Sequence, residues 1–346
     1  MPEIISLKLT QLGWRPFFQH QIDLEHWNHP VARVVAHHRN RLDLLSEAGA
    51  SVLALDPGMP AITVGDWLLL THEGRFLRLL ERQSLFRRKA PGRKVDEQLI
   101  AANVDTLFIV TSLNEDFSLN RIERYLSLAH EAGAEPVVVL SKPDLCDEPE
   151  RFQREVQKLN PVLVVETINC LNASEINKLL PWCGTGETVA LMGSSGVGKS
   201  TLVNALLGET VQAIGSIREK DGTGRHVTSG RSLHQMKEGG LLLDTPGLRE
   251  LQLTACDHGV NSTFAEISAL AEQCRFSNCR HGSEPGCAVQ EAICRGELDA
   301  RRLSSYKKLM REQDFNSATL AEKRARDKRF GKMIKSVLSD KKARRT

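Results

Sequence analysis

Three short stretches carry residue types able to bind and split a nucleoside triphosphate. "GSSGVGKS" at 193–200 satisfies G-x-x-x-x-G-K-[ST]. In such a loop Gly193, Ser194, Ser195, Gly196, Val197 and Gly198 turn successive backbone N–H groups inward around phosphate oxygens, at the start of a helix that Thr201 continues. Lys199 reaches the β- and γ-phosphates, and the Ser200 hydroxyl ligates magnesium. "LLLDTPG" at 241–247 places Asp244 at the end of an apolar run, where it can hold the magnesium shell through water, with the Gly247 N–H sensing the γ-phosphate. "VVVLSKPD" ends in Ser141, Lys142, Pro143 and Asp144. The Asp144 carboxylate can accept two hydrogen bonds from the N1–H and N2–H₂ edge of guanine, which adenine lacks, and the Lys142 stem can lie across the base. GTP and GDP, with magnesium, are the expected ligands; ATP with a fortuitous Ser-Lys-Pro-Asp is the rival, separated by GDP against ADP binding.

Between "GSSGVGKS" and "LLLDTPG" lies "REKDGTGRHVTSGRS", polar and glycine-rich, where a magnesium-sensing switch threonine belongs. Thr228 is the candidate and Thr223 the second. A separate constellation, "CRFSNCRHGSEPGC", holds Cys274, Cys279, His281 and Cys287. Three thiolates and an imidazole suit one tetrahedral, closed and therefore structural zinc. Cys294 could substitute for Cys287, but it sits in the predicted helix "VQEAICRGEL"; Cys256 and His258 are weaker candidates.

These residues need a scaffold. "TLFIVTS", "PVVVL", "PVLVVE", "ETVALMG" and "GGLLLDTPG" are apolar on both faces and alternate with helical patterns such as "LNRIERYLSLAHEAG" and "KSTLVNALLG". That alternation predicts a parallel sheet covered on both sides, an α/β domain. From Val31 to about Leu80 the short alternating runs "VARVVA", "RLDLLS", "SVLAL", "AITVGDWLLL" and "FLRLL" predict an all-β domain of about five strands. The basic "RQSLFRRKAPGRK" at 82–94 is expected to be an exposed loop or linker.

The chain of 346 residues is long enough for two or three domains, and its 41% apolar and 26% charged residues are those of an ordinary globular protein. It has no run of about 18 apolar residues to span a bilayer, and "MPEIISLKLTQ" lacks the basic and apolar regions of a signal peptide; a cytoplasmic, membrane-free protein is expected. Eight cysteines in that compartment point to metal ligation or burial, not disulfides. The net charge of +3 conceals a tail, residues 301–346, with 16 Lys/Arg against 5 Asp/Glu, a charge of +11 suited to a polyanion such as RNA.

The order Ser-Lys-Pro-Asp, "GSSGVGKST", "GRHVTS", "LLLDTPGLREL" and the Cys/Cys/His/Cys cluster resembles the RsgA (YjeQ/EngC) family, as do "VGDW" and "AANVDTLFIVTSLNEDFSLNRIERYL". The resemblance covers nearly the whole chain. It implies an N-terminal OB-fold β-barrel with an extension and basic linker (1–95), a circularly permuted P-loop GTPase (96–256) and a mainly helical zinc-binding domain with a basic helical tail (257–346). It also implies a monomer that binds the 30S ribosomal subunit and 16S rRNA, acts late in subunit maturation, and hydrolyses GTP when stimulated by the subunit. The rival from another class is a GTP-dependent RNA-binding scaffold whose hydrolysis is incidental. The family pattern falls on Cys274, Cys279, His281 and Cys287 residue by residue. Departures are Ser141 in place of the usual Asn and "ETINCLNAS", whose Asn169-Cys170 stands in the slot of a second guanine loop. Ordinary small GTPases place a water-orienting Gln after D-x-x-G; here it is Leu248. His226, or a group donated by the bound particle, would have to supply that function.

Overall fold

The computed structural model describes residues 8–89, 97–208, 231–244, 248 and 256–317. The alternating runs after residue 30 form five antiparallel strands: β1 (Val31–His37), β2 (Arg41–Ser46), β3 (Gly49–Ala54), β4 (Trp67–Leu70) and β5 (Phe76–Leu79). Their order is β3-β2-β1-β4-β5. A register irregularity between Val34 and Ala36 interrupts the ladder of β1 with β2, which runs from Arg33 to His37; on its other edge Val31, Ala32 and Arg33 pair with β4. Ala32, Val34, Leu42, Leu44, Leu53, Ile62, Leu68 and Leu70 fill the interior of this OB-type barrel. Each such Leu or Val contributes about 1.5–3 kcal/mol of burial.

The basic stretch at 82–94 is not simply a linker. Its first part is strand β6 (Leu85–Lys89), paired with β7 (Glu97–Ala102) in a two-stranded sheet. Phe86, 1% exposed, anchors it, and Arg88 Nε donates to Gln98 Oε1 at 3.0 Å. A cross-strand partner outweighed the poor strand propensity of the basic residues.

The expected α/β region follows. β8 (Thr106–Ser112), β9 (Glu135–Ser141), β10 (Val164–Ile168), β11 (Thr188–Met192) and, after β12 (Arg231–Gln235), β13 (Leu241–Asp244) stand in the order β10-β9-β8-β11-β13-β12. All are parallel except β12, which runs against β13. β10 starts three residues later than the run "PVLVVE" suggests, because the Asn160 side chain accepts the Val162 N–H and turns the chain there. β12 had no strand signal, since it ends a polar loop; it also pairs with β1, Ser232 opposite Ala36 and Arg231 opposite His37, joining barrel and parallel strands into one 11-stranded sheet.

A short helix, α1 (Pro16–Gln19), precedes the barrel. Trp14 and Phe18 lie against Trp67, with ring centroids 4.8 and 5.8 Å away. Arg15 bridges Asp105 at 2.7 Å and Glu187 at 2.9 Å. Arg33, 1% exposed, donates to the carbonyls of Leu12, Gly65 and Asn103. Burial pulls its pKa down to about 10, which leaves it charged at neutral pH. The N-terminal extension is thus a strap across barrel and sheet.

Helix α2 (Leu119–Ala132) buries Ile122, Leu126, Ala129 and Ala132, one face at helical spacing, and Gly133 at φ 77° terminates it. α3 (Pro149–Gln157) and α4 (Ala173–Ile176) follow β9 and β10, and α5 (Lys199–Leu207) follows β11. α6 (Asp257–Thr263) packs on α2 so closely that a Cβ at Gly259 would sit 2.0 Å from the Ser127 carbonyl oxygen. The Gly259 N–H donates to Glu131 at 2.9 Å and His130 Nδ1 meets Thr263 Oγ1 at 3.0 Å. The remaining helices are α7 (Ala265–Ala271), α8 (Ala288–Cys294) and α9 (Ala300–Ser317). Two compact units result: residues within 1–87, 99–251 and 257–268 form one, and those within 88–98, 252–256 and 269–346 the other.

Candidate nucleotide site and metal centre

Parallel strands share one carboxyl edge, and loops leaving that edge meet there whatever their order in the chain. β8, β9, β10, β11 and β13 end at Ser112, Ser141, Ile168, Met192 and Asp244, so the Ser-Lys-Pro-Asp tip, the Asn169-Cys170 segment, the loop 193–198 and Asp244 all sit on this edge. The loop 193–198 connects β11 to α5. Gly193 is required by contact: a Cβ there would lie 2.2 Å from the Val110 carbonyl oxygen on the neighbouring strand. Val197, 1% exposed, roots the loop in the core, while Ser195, Gly196 and Ser200 face solvent. Lys199 donates to the carbonyls of Gly193 (2.7 Å) and Ser194.

The Ser-Lys-Pro-Asp tip stands against this loop. Ser141, fully buried, donates its hydroxyl to the Val197 carbonyl at 2.6 Å. Ser141, standing where the usual residue is Asn, is thus tied directly to the phosphate loop. Lys142, left-handed at φ 57°, donates its ammonium to the Gly196 carbonyl at 2.8 Å. Pro143 opens a 3-10 turn over Pro143–Leu145, which carries Asp144 exposed at the edge. Cys170 also comes here: a Cβ at Gly198 would be 3.8 Å from its Sγ and 3.9 Å from Ser141 Oγ. Burial is the main cause pushing the Cys170 thiol above its ordinary pKa. The Asn169-Cys170 segment thus lies beside the Ser-Lys-Pro-Asp tip.

On the other side of the loop stands a residue that motif reading passed over. Arg121, in the first turn of α2, donates to Ser194 Oγ at 2.6 Å and pairs with Asp116 at 2.6 Å. The signal available in sequence was an arginine where helices favour acids.

Asp244 is half-buried at the end of β13, and the exposed Ser200 hydroxyl makes no hydrogen bond among the described residues. A free hydroxyl and a carboxylate are hard oxygen donors of the kind magnesium takes. Thr223, His226, Thr228 and Gly247 lie outside the described residues. Leu248 is described and 1% exposed.

Cys274, Cys279, His281 and Cys287 converge, all ligand atoms lying within 4.8 Å of one another. The three separations among Cys274, Cys287 and His281 match one face of a tetrahedron around zinc: with Zn–S of ~2.3 Å and Zn–N of ~2.05 Å, its edges are ~3.8 Å for S···S and ~3.6 Å for S···N. The observed values are 3.9 Å for Cys274–Cys287 and 3.5 and 3.6 Å from their sulfurs to His281 Nδ1. Burial first, then the Lys307 ammonium, lowers the His281 pKa and favours the neutral imidazole that a metal requires. Gln290 and Lys307 each donate to the His281 carbonyl at 2.6 Å, fixing the turn. Cys294 is exposed on α8 and Cys256 buried elsewhere; neither joins the cluster.

Comparison with known proteins agrees with this geometry. The family model described as RsgA GTPase matches residues 79–254. A Vibrio parahaemolyticus protein named small ribosomal subunit biogenesis GTPase RsgA 2 is 57% identical, over 98% of this chain and 95% of that one. A Mesorhizobium japonicum protein named small ribosomal subunit biogenesis GTPase RsgA is 45% identical, over 90% and 92%. Among solved structures, YjeQ from Thermotoga maritima matches 82% of this chain and 98% of its own at TM-score 0.62 and 26% identity. YloQ, described as a circularly permuted GTPase, matches 86% and 99% at TM-score 0.58 and 21% identity, a likeness of fold.

Proposed function

The chain belongs to the RsgA GTPase family of GTP-hydrolysing enzymes, and from that premise we propose that it is an assembly factor for the small ribosomal subunit. The work divides among a barrel domain (1–95), the permuted GTPase (96–256) and a metal-bearing domain (257–346). The observation that carries the nucleotide reading is the tie of Ser141 and Lys142 to Val197 and Gly196, which sets a guanine-reading loop against a phosphate-binding loop.

In this reading the N–H groups of 193–198 and Lys199 bind the phosphates of GTP or GDP, and Asp144 reads the base. Ser200 and Asp244 would hold magnesium, which when bound neutralises phosphate charge. Thr228 senses the magnesium and the Gly247 N–H the γ-phosphate, and His226 orients the attacking water when the particle is bound. Cys274, Cys279, His281 and Cys287 would hold one structural zinc ion, a closed set with no open position for chemistry. The relatives' names point to the small subunit as partner; the barrel and the +11 tail suit 16S rRNA of the 30S particle. The factor acts as a cytoplasmic monomer late in maturation, and hydrolysis releases it. Among the described residues no helix is long and apolar enough to cross a membrane.

The test is GTP turnover alone, with 30S and with 50S subunits. Acceleration by 30S only is expected; no acceleration by 30S removes the partner assignment. His226→Ala should lower stimulated turnover and leave GDP affinity within about threefold.

A further inference from the structure

Leu248 follows the Asp244–Gly247 segment and is 1% exposed, so this core position offers nothing to an attacking water. A compensating cation stands across the sheet edge. Arg121 is the third residue of α2, where the positive end of the helix dipole disfavours a cation by ~0.3–1 kcal/mol, and no acid lies in that turn. A local rule broken in this way marks functional sites more often than scaffold.

The contacts sort the phosphate loop into two ends. Ser141 and Lys142 hold Val197 and Gly196, the base end. At the other end Ser194 receives two cations: its carbonyl accepts from Lys199, and its hydroxyl accepts from Arg121 Nη1 at 2.6 Å. Lys199 is the P-loop lysine that reaches the β- and γ-phosphates, so Arg121 stands at the terminal-phosphate end. Its bonds among the described residues all pass through Nη1: to Ser194, and to the Asp116 carboxylate (2.6 Å) and carbonyl (3.2 Å). Nε–H and the Nη2 amino group have no partner among the described residues, and the side chain is 36% exposed. Two parallel donors on a planar guanidinium match a phosphate edge.

We propose that Arg121 is a catalytic residue of GTP hydrolysis, donating in cis to the γ-phosphate oxygens, with Asp116 and Ser194 holding it in place. In the step it serves, the water oxygen bonds to the γ-phosphorus and the bond to the β–γ bridging oxygen breaks. That electron pair stays on GDP, and the water's proton ends on the released phosphate. Arg121 surrenders no proton; it offsets charge as the bond breaks.

This inference rests on the nucleotide reading of residues 193–200. Turnover and GDP affinity of the full chain are measured for the wild type, Arg121→Ala, Arg121→Gln and Arg121→Lys, with and without aluminium fluoride. Both neutral variants should lose roughly 10²-fold or more in turnover while GDP affinity stays within about threefold. GDP binding in them should no longer tighten with aluminium fluoride, a mimic of the phosphoryl group in flight. Arg121→Lys should recover part of the turnover. Wild-type-like turnover in both neutral variants overturns the proposal, as does a loss of GDP affinity in step with turnover, which would make Arg121 a positioning residue of the loop. A wild-type chain that binds no GDP would instead sink the underlying nucleotide reading.

Discussion

The nucleotide edge and the Cys/His turn solve the problem of placing functional groups by opposite means. At the edge, five parallel strands with a common core around Phe108, Val139, Val189 and Leu242 fix the starting point of each loop before any ligand arrives. The turn from Cys274 to Cys287 has little apolar support: Cys287 and His281 are buried, but Arg275, Phe276, Arg280 and Gly282 face solvent. One region is held by burial spread over dozens of side chains, the other by four ligands and the ion they would share.

The largest test of that contrast is removal of the metal. Chelation, or Cys279→Ala, should unfold the region carrying α8 and α9, because structural zinc is worth on the order of 10–16 kcal/mol to small zinc peptides. Far-ultraviolet dichroism should show the loss of helix, while GDP affinity changes by no more than about threefold. A parallel collapse of GDP binding would break the comparison. Next in size, Asp144→Asn should weaken GDP by roughly 10²-fold or more and shift preference toward xanthosine nucleotides. Titration with both nucleotides checks this, and an intact guanine preference would reassign the base reader.

Smaller effects probe the packing behind the edge. Gly259→Ala places a methyl against the Ser127 carbonyl and should cost about 1–3 kcal/mol in urea unfolding. Smaller still is the pH response of His130. Burial, and then His258, lowers its folded-state pKa. Its neutral form therefore contributes stability that is full above the unfolded value of about 6.5 and is lost as pH falls through that value toward the folded pKa. His130→Gln should flatten the melting temperature over that window.

What sequence could reveal follows the same divide. The strands were legible because both-face apolar runs such as "TLFIVTS" need no knowledge of their neighbours, and β8 matches that run residue for residue. The Ser-Lys-Pro-Asp tip was legible as a contiguous motif on such a strand. Arg121 was not, because its meaning comes from a hydroxyl 73 residues away. β6 and β12 were missed for the same reason: their sequences are basic or polar, and only pairing with β7, or with β13 and β1, makes them strands. The strap of Trp14, Arg15 and Phe18 depends on Trp67, Asp105 and Glu187, which nothing local predicts.

The pairing of β12 with β1 bears on how this protein can be cut. Residues 36 and 37 pair with Ser232 and Arg231 of β12, so a chain trimmed at residue 95 to yield a bare GTPase would not end at a clean seam. It would strip a neighbour from Ser232 and Arg231 and expose unpaired backbone N–H and C=O groups, a template for self-association. The amino-terminal third is in that sense the selvedge of the catalytic sheet, and solubility would fray with its removal before nucleotide chemistry could be measured.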